Sequence, residues 1–471
     1  MTMNFLVPSS SARKRSDKAR ISPVCRLLDS RLRTAILILA VFYSGCDKCQ
    51  FSGKKTKKQV KHTAIDYLDV NNLQTVRLND VEYTLIDNER IEWARKLFLE
   101  KDFPAVQAHI LELLNNDTED GSVKLTALYN TLARITDDKH IEHMLTVLDE
   151  WCAKAPENHI PWLARGHFYI SWAWSIRGDS WAKDVPKEAW SGFNEKLALA
   201  QKDLEQSYTI NPMDPNSSCY LVTVAKGLGY PKETMEQYYQ SGVRACSWHI
   251  GLHGGKLDYL SPRWFGSADE MLAFAKDSFE KADQYPRLGL MLVRAYADIH
   301  KQSKEENILG REDVWKIVKG THERLFNLDP DDLRFHFSYA YYAFLAKQYE
   351  EALKQFEFIG DRWSEETVWS SLDYYNQSRG LTNHMIGYNL LYKKHLYPVS
   401  IGYLQSAVRY SPTAGAYYDL GIAYWYTGNS LQDVSLLLKA EDALKKALVI
   451  KPDHEQAKKE LQRLQTILKR N

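Results

Sequence analysis

Cys246-Ser247-Trp248-His249-Ile250-Gly251-Leu252-His253 places one thiol and two imidazoles within eight residues. These are ligand types that zinc takes, and two histidines four apart share one face of a helix. Gly251, Gly254 and Gly255 are expected to break such a helix, and no fourth ligand stands nearby in the chain. Metal binding by Cys246, His249 and His253 is therefore the weaker expectation, and a packed loop the stronger. Cys46-Asp47-Lys48-Cys49 brings two more thiols together, but one CxxC in a basic stretch is thin ground for a metal or redox site. His140-Ile141-Glu142-His143 lacks the two residues that separate Glu from the second His in a zinc-protease helix. Gly227-Leu228-Gly229-Tyr230 runs into Pro231 without the strand-to-helix setting of a phosphate loop. Asp331-Asp332 and Glu350-Glu351 stand at expected helix starts, where carboxylates suit the positive end of the helix dipole. No cofactor is expected from these groups.

The elements that must position them follow a recurring beat. Ala155-Pro156-Glu157-Asn158, Ile210-Asn211-Pro212, Leu328-Asp329-Pro330-Asp331-Asp332, Tyr410-Ser411-Pro412 and Ile450-Lys451-Pro452-Asp453-His454 each follow one apolar-periodic stretch and precede another. A proline just past a helix end, repeated this way, punctuates a helix-turn-helix array. Tyr417, Leu420, Gly421 and Tyr424 stand at the spacing W/Y-x2-L-G-x2-Y, and Ala440, Leu444 and Ala447 precede Pro452. A glycine there lets two helices approach closely, and small-large-small spacing presents a narrow face to the neighbour. Trp162, Gly166 and Tyr169 repeat the first-helix spacing, and Ala200, Leu204 and Ser207 close that unit before Pro212. Tyr339, Ala340 and Ala343, followed by Ala352, Phe356 and Ile359, make another. Val318–Leu328 and the Ser400, Leu404, Ala407 series read as further second helices.

These motifs resemble the tetratricopeptide (TPR) repeat, which implies an all-α, TPR-like helical-repeat array (an α-solenoid). Asp179–Ser191 and Asn429–Ser435 exceed the repeat length, the first as an insertion and the second as an inserted loop or extended helix. Before the array, Leu73–Leu78 and Val81–Ile86 alternate around Asn79-Asp80, as in a short β-hairpin. One amphipathic helix cannot bury its stripe alone, whereas stacked pairs can.

Tyr259–Ala275 contains Trp264, Gly266, Ser267, Glu270, Met271 and Leu272 in the order W-x-G-S-x-x-E-M-L-x-F-A. Ser267 and Glu270 spell a capping box, and Trp264 is placed to staple onto Met271 and Leu272. The stretch resembles the signature of a bacterial family described only as a domain of unknown function, with Phe265 where that family often has glycine. The resemblance extends loosely over Asp87–Asp283. It implies a helical fold and no catalytic residues.

Residues 1–46 carry eight basic residues against two acidic ones, leaving 53 basic and 58 acidic residues beyond. That mildly acidic body lacks the broad basic surface that phosphate backbones require, so no nucleic-acid partner is expected. A basic start, the apolar run Thr34–Tyr43 and Ser44-Gly45-Cys46 have the layout of a secretory leader. They resemble a bacterial lipoprotein leader, which implies lipidation of Cys46, with Tyr43 departing from the usual aliphatic residue. Lys54–Lys61 is a charged linker that cannot build a core. The expected organisation is a leader (1–46), a flexible basic linker (47–70), a helical-repeat domain of unknown function (71–285) and TPR-like repeats (286–471).

The expected function is a non-enzymatic scaffold of the bacterial envelope. It would be held to the membrane by its lipid, face the periplasm or exterior, and bind a protein or peptide on a concave surface. The alternatives are a metal-dependent enzyme around Cys246–Trp264, a structural part of an envelope or secretion assembly, or a cytoplasmic protein.

Overall fold

The computed structural model describes residues 75–469 apart from 79–80, 86–88, 117, 136–137, 179–183, 304–305 and 365–366. The expected leader, Cys46 and the linker lie outside the described residues. The first helices are α1 (Glu89–Leu99), α2 (Phe103–Leu114), α3 (Glu119–Leu132), α4 (Asp138–Lys154), α5 (His159–Arg177) and α6 (Lys187–Ile210). They continue as α7 (Pro215–Leu228), α8 (Lys232–Ala245), α9 (Ile250–Tyr259), α10 (Ala268–Phe279), α11 (Leu290–Gln302), α12 (Glu312–Leu328) and α13 (Leu333–Leu345). The rest are α14 (Tyr349–Ile359), α15 (Leu372–Tyr388), α16 (Tyr397–Tyr410), α17 (Ala414–Leu431), α18 (Val434–Ile450) and α19 (Glu455–Leu468).

Neighbours in sequence are neighbours in space: α5 packs on α6, α6 on α7, α13 on α14, α15 on α16, and α17 on α18. Alternate helices also meet, α3 with α5, α5 with α7, α7 with α9 and α9 with α11. This two-layer stack in chain order is a TPR-like helical-repeat fold. Packing follows the repeat residues. Tyr169, Tyr339, Ala352, Phe356, Tyr424 and Ala447 are buried, Gly166 and Gly421 lie at helix contacts, and Trp162 and Tyr417 are half-buried. Pro452 stays exposed in its turn. The 429–435 segment is the extended helix rather than a loop, since α17 runs to Leu431 and Gln432 turns left-handed into α18.

The turns between units share one geometry. Asn211, Cys246 and Asp329 end their helices in extended conformation, Lys451 ends its helix at φ −132° and ψ 89°, and each donates its N–H to the carbonyl four residues back. Three residues later Asp214, His249, Asp332 and His454 cap the next helix, their side chains accepting a backbone N–H. Each cap also returns its own N–H to the carbonyl of the residue that ended the previous helix. The turn thus satisfies orphan groups from both helices at once.

The hairpin forms as expected, β1 (Thr75–Leu78) antiparallel to β2 (Val81–Leu85). Its third strand is unforeseen. β3 (Arg362–Trp363) lies parallel to β2, with Leu85 opposite Trp363. Val81 is fully buried in the same apolar cluster as Phe337, Tyr341, Trp363, Trp369 and Tyr375. A two-stranded hairpin is marginal alone, and this cluster supplies the missing cover. A different apolar cluster runs from Ile250 and Leu257 through Met271 and Met291 to Leu325 and Phe335, joining α9 to α13.

Candidate functional site

Two polar constellations cross the layer of odd-numbered helices. The first ties the starts of α5, α7 and α9 to α3. Asp214, wholly buried, accepts from Tyr129 Oη at 3.0 Å and from the Asn216 backbone and side-chain nitrogens, both at 3.0 Å. His159 Nε2 lies 3.3 Å from Oδ2, the oxygen that Tyr129 also bonds, while Asn216 holds Oδ1. Burial opposes ionisation of Asp214, but its bonds to His159 and Asn216 outweigh it and hold the carboxyl below its ordinary value. Thr126 Oγ1 donates to Asn216 Oδ1 at 3.0 Å and lies 3.2 Å from His249 Nε2. His159 borders a shallow depression of about 560 Å³ between Lys154, Pro156, Glu157 and Asn211. The network fixes four helices to one another.

The Cys246–His253 motif resolves into this same turn geometry. Cys246 ends α8, His249 caps α9 through Nδ1, which accepts from Leu252 N at 3.0 Å, and Nε2 joins the Thr126–Asn216 network. His253 turns elsewhere: its Nδ1 lies 3.3 Å from Tyr239 Oη and 3.2 Å from Ser278 Oγ, and its Nε2 3.0 Å from Ser247 O. The three side chains do not converge, and no group of three or more metal-ligand side chains occurs among the described residues. Burial pushes both imidazoles down to about 4, so they stand neutral at pH 7. The expected break at Gly251, Gly254 and Gly255 does not occur; all three lie within α9. At Gly254 a neighbour presses close: a Cβ there would sit 2.6 Å from Arg294 Nη1.

The second constellation joins the C-terminal ends of α7 and α9 to α11. Asp258 receives Arg294 Nη2 at 3.2 Å on one oxygen and Lys226 Nζ at 3.5 Å on the other. Lys301 Nζ lies 4.0 Å from Asp298 Oδ1, the outer edge of an ion pair. Exposed Arg263 acts electrostatically on Lys226, Asp298 and Lys301. Burial lowers the pKa of Lys226 and takes Lys301 to about 8, against the pull of the carboxylates. Lys226 also sits over two indoles, 5.7 Å from the Trp174 ring and 5.2 Å from that of Trp264.

The signature residues frame this cluster. Ser267 Oγ accepts from Glu270 N at 3.2 Å, the Glu270 carboxylate takes the Ser267 N–H in return, and Lys232 pairs with Glu270. Gly266 passes so near Leu260 that a Cβ would meet its carbonyl oxygen at 2.1 Å. Met271 is fully buried and Leu272 partly so. Trp264 does not staple onto them; its ring stands edge-on to Trp174 at 5.9 Å, drawn there by the indole and the Lys226 charge. Phe265, exposed, leans on Tyr259 at 4.9 Å. Sequence reading missed Lys226, Asp258, Arg294, Asp298 and Lys301, which are scattered along the chain. The one available signal was charge inside otherwise apolar helices.

Residues 95–238 match the family described as a domain of unknown function, DUF4034. The matched segment covers α2 to α7 and ends before the Trp264–Ala275 stretch. No curated protein matches the chain. Among solved structures, the human IFIT1 dimer with m7Gppp-AAAA is 14% identical, with 80% of each chain covered and a TM-score of 0.30. A human IFIT1 dimer with PPP-AAAA is also 14% identical, covering 80% of this chain and 95% of that one, with a TM-score of 0.30.

Proposed function

We propose that the protein is a non-enzymatic scaffold that binds a protein or peptide segment across its odd-numbered helices. One observation carries this reading: half-buried Trp174, Lys226 and Trp264, contributed by α5, α7 and the α9–α10 connection, come together, the two indoles 5.9 Å apart and Lys226 over both. Aromatic and cationic groups assembled this way supply area and directional attraction to a bound chain. The polar network at the other end of these helices supports the role by holding their spacing.

The basic start, the apolar run Thr34–Tyr43 and Cys46 support a reading in which a lipid on Cys46, with the basic linker beside it, holds this scaffold at a membrane. The test is a crosslinking pull-down from membranes with wild type, Cys46→Ala and Trp264→Ala. Wild type recovers a partner, Trp264→Ala loses it while remaining membrane-held, and Cys46→Ala is neither lipid-labelled nor membrane-held. A Cys46→Ala protein that still carries lipid overturns the anchor, and undiminished capture by Trp264→Ala overturns the binding surface.

A further inference from the structure

We propose that the edge of the stack formed by the α15–α16 and α17–α18 turns docks on an anionic lipid surface. This deepens the membrane reading above by naming a second contact, made by the folded chain itself.

Antiparallel packing puts the two turns on one edge. Gly387, near the end of α15, lies against Leu404 of α16, and Gly428, near the end of α17, lies against Leu436 and Leu437 of α18. Tyr397, which opens α16, stacks at 4.8 Å on Tyr426, near the end of α17. On the other side of the first turn, Tyr392 Oη donates to Asp419 Oδ1 at 2.7 Å. Asp419 stands seven residues before Tyr426 and so on the same face of α17.

Apolar side chains stand outward along this edge. Leu396 and Val399 at the start of α16, Tyr426 and Leu431 at the end of α17, and Val434 and Leu438 at the start of α18 are each 46–65% exposed. A single exposed leucine needs no explanation, whereas a gathered patch marks a contact surface. Lys393 and Lys394, both exposed, stand in the first turn beside Leu396. From Tyr374 to Gln432 the sequence has one carboxylate, Asp419, which is buried and bonded to His384 and Tyr392. The next one, Asp433, caps α18.

A lipid surface suits this edge better than a second copy. Two copies meeting about a two-fold axis present the same patch to each other, which brings like-charged lysines together. Anionic headgroups attract those lysines, tyrosine suits the headgroup level, and aliphatic side chains enter the acyl boundary. The course of the chain agrees. Thr75 pairs with Thr84, and Thr84 lies opposite Arg362, ten residues before α15 begins. From there α15 and the π-helical turn Asn389–Lys393 lead to the basic turn, a length of about 33 Å. From Cys46 to Thr75 the sequence spans at most about 100 Å. A lipid on Cys46 therefore leaves this edge within reach of the same bilayer.

The test uses the full-length chain with Cys46→Ala, so that no lipid does the holding, and phosphatidylcholine vesicles with or without phosphatidylglycerol. A benzophenone side chain replaces Leu431 or, as control, exposed Met213 in the α6–α7 turn. Crosslinking to lipid is expected at position 431 and not at 213, and only with phosphatidylglycerol present. Lys393→Glu combined with Lys394→Glu, at two exposed positions, is expected to lower the yield at 431 about tenfold or more. Equal yields at the two positions, or a yield at 431 that this double variant leaves unchanged, overturn the docking edge. A covalent dimer through position 431 in the absence of vesicles overturns it in favour of a second copy. Any of these results leaves the Cys46 anchor standing, and failure of lipid labelling at Cys46 leaves the edge standing.

Discussion

Replacing Gly421 by alanine sets two effects of known size against each other. Alanine is favoured over glycine inside a helix by about 1 kcal/mol. A Cβ at 421, however, would stand 2.9 Å from Leu444 Cγ, 3.1 Å from its Cδ2 and 3.3 Å from the Ala440 carbonyl oxygen. The last is backbone, and Leu444 is fully buried, so neither neighbour moves freely. Overpacking costs about 1–3 kcal/mol, and the balance is a net loss of about 1 kcal/mol. Gly166 meets the equivalent pair more tightly, with Leu204 Cγ at 2.7 Å and the Ala200 oxygen at 3.2 Å. Gly166→Ala is therefore expected to cost about 2 kcal/mol net, the upper end of the overpacking range less the same helix gain. Gly320 in α12 and Gly402 in α16 meet no heavy atom within 4 Å and serve as controls. Their alanine variants are expected to stabilise by about 0.5–1 kcal/mol. The assay is urea denaturation of the four variants, followed by far-ultraviolet circular dichroism at one temperature. If Gly166→Ala and Gly421→Ala stabilise as the controls do, the close helix contacts at these positions are wrong.

Asp214→Asn is expected to lower stability by about 3 kcal/mol at pH 7, because it removes the charge around which Tyr129, His159 and Asn216 are arranged. Since the folded carboxyl titrates below its unfolded value, wild type and variant converge as pH falls through the folded pKa; a constant gap in urea midpoints down to the acid end refutes this. Burial pushes His322 down to about 4, while an unfolded histidine titrates near about 6.5. The unfolded chain protonates first, so this stability is complete above the unfolded value and lost toward the folded one, by up to about 1.4 kcal/mol per pH unit. Urea midpoints between pH 7 and 5 are expected to fall less steeply in His322→Gln.

The repeats were legible because their rule is local. Tyr417, Gly421 and Tyr424 announce a first helix wherever they fall, and Pro212, Pro330 and Pro452 mark the turns. Cys246–His249 is the same turn with Ser247 in the proline's place, and without that marker its thiol and imidazole resemble a ligand pair. The glycines of α9 read as helix breakers because the charged side chain that presses on Gly254 comes from α11. Charge clusters such as Lys226–Asp258–Arg294 have no sequence period at all; only packing of separate helices brings them together. The hairpin was visible in its alternation, whereas its partner, a strand of two residues, leaves too short a pattern to recognise.

That short strand changes how the stack assembles. Helical arrays ordinarily zip from any nucleus, each unit answering only to the next. Here β2 reaches past fourteen helices to pair with β3, a closure whose entropy is lost before its contacts form. On that ground the pairing is expected to come late in folding and to couple the early units to α13–α15. An array that would otherwise fray piecemeal acquires a latch, and damage on either side of it is felt on the other.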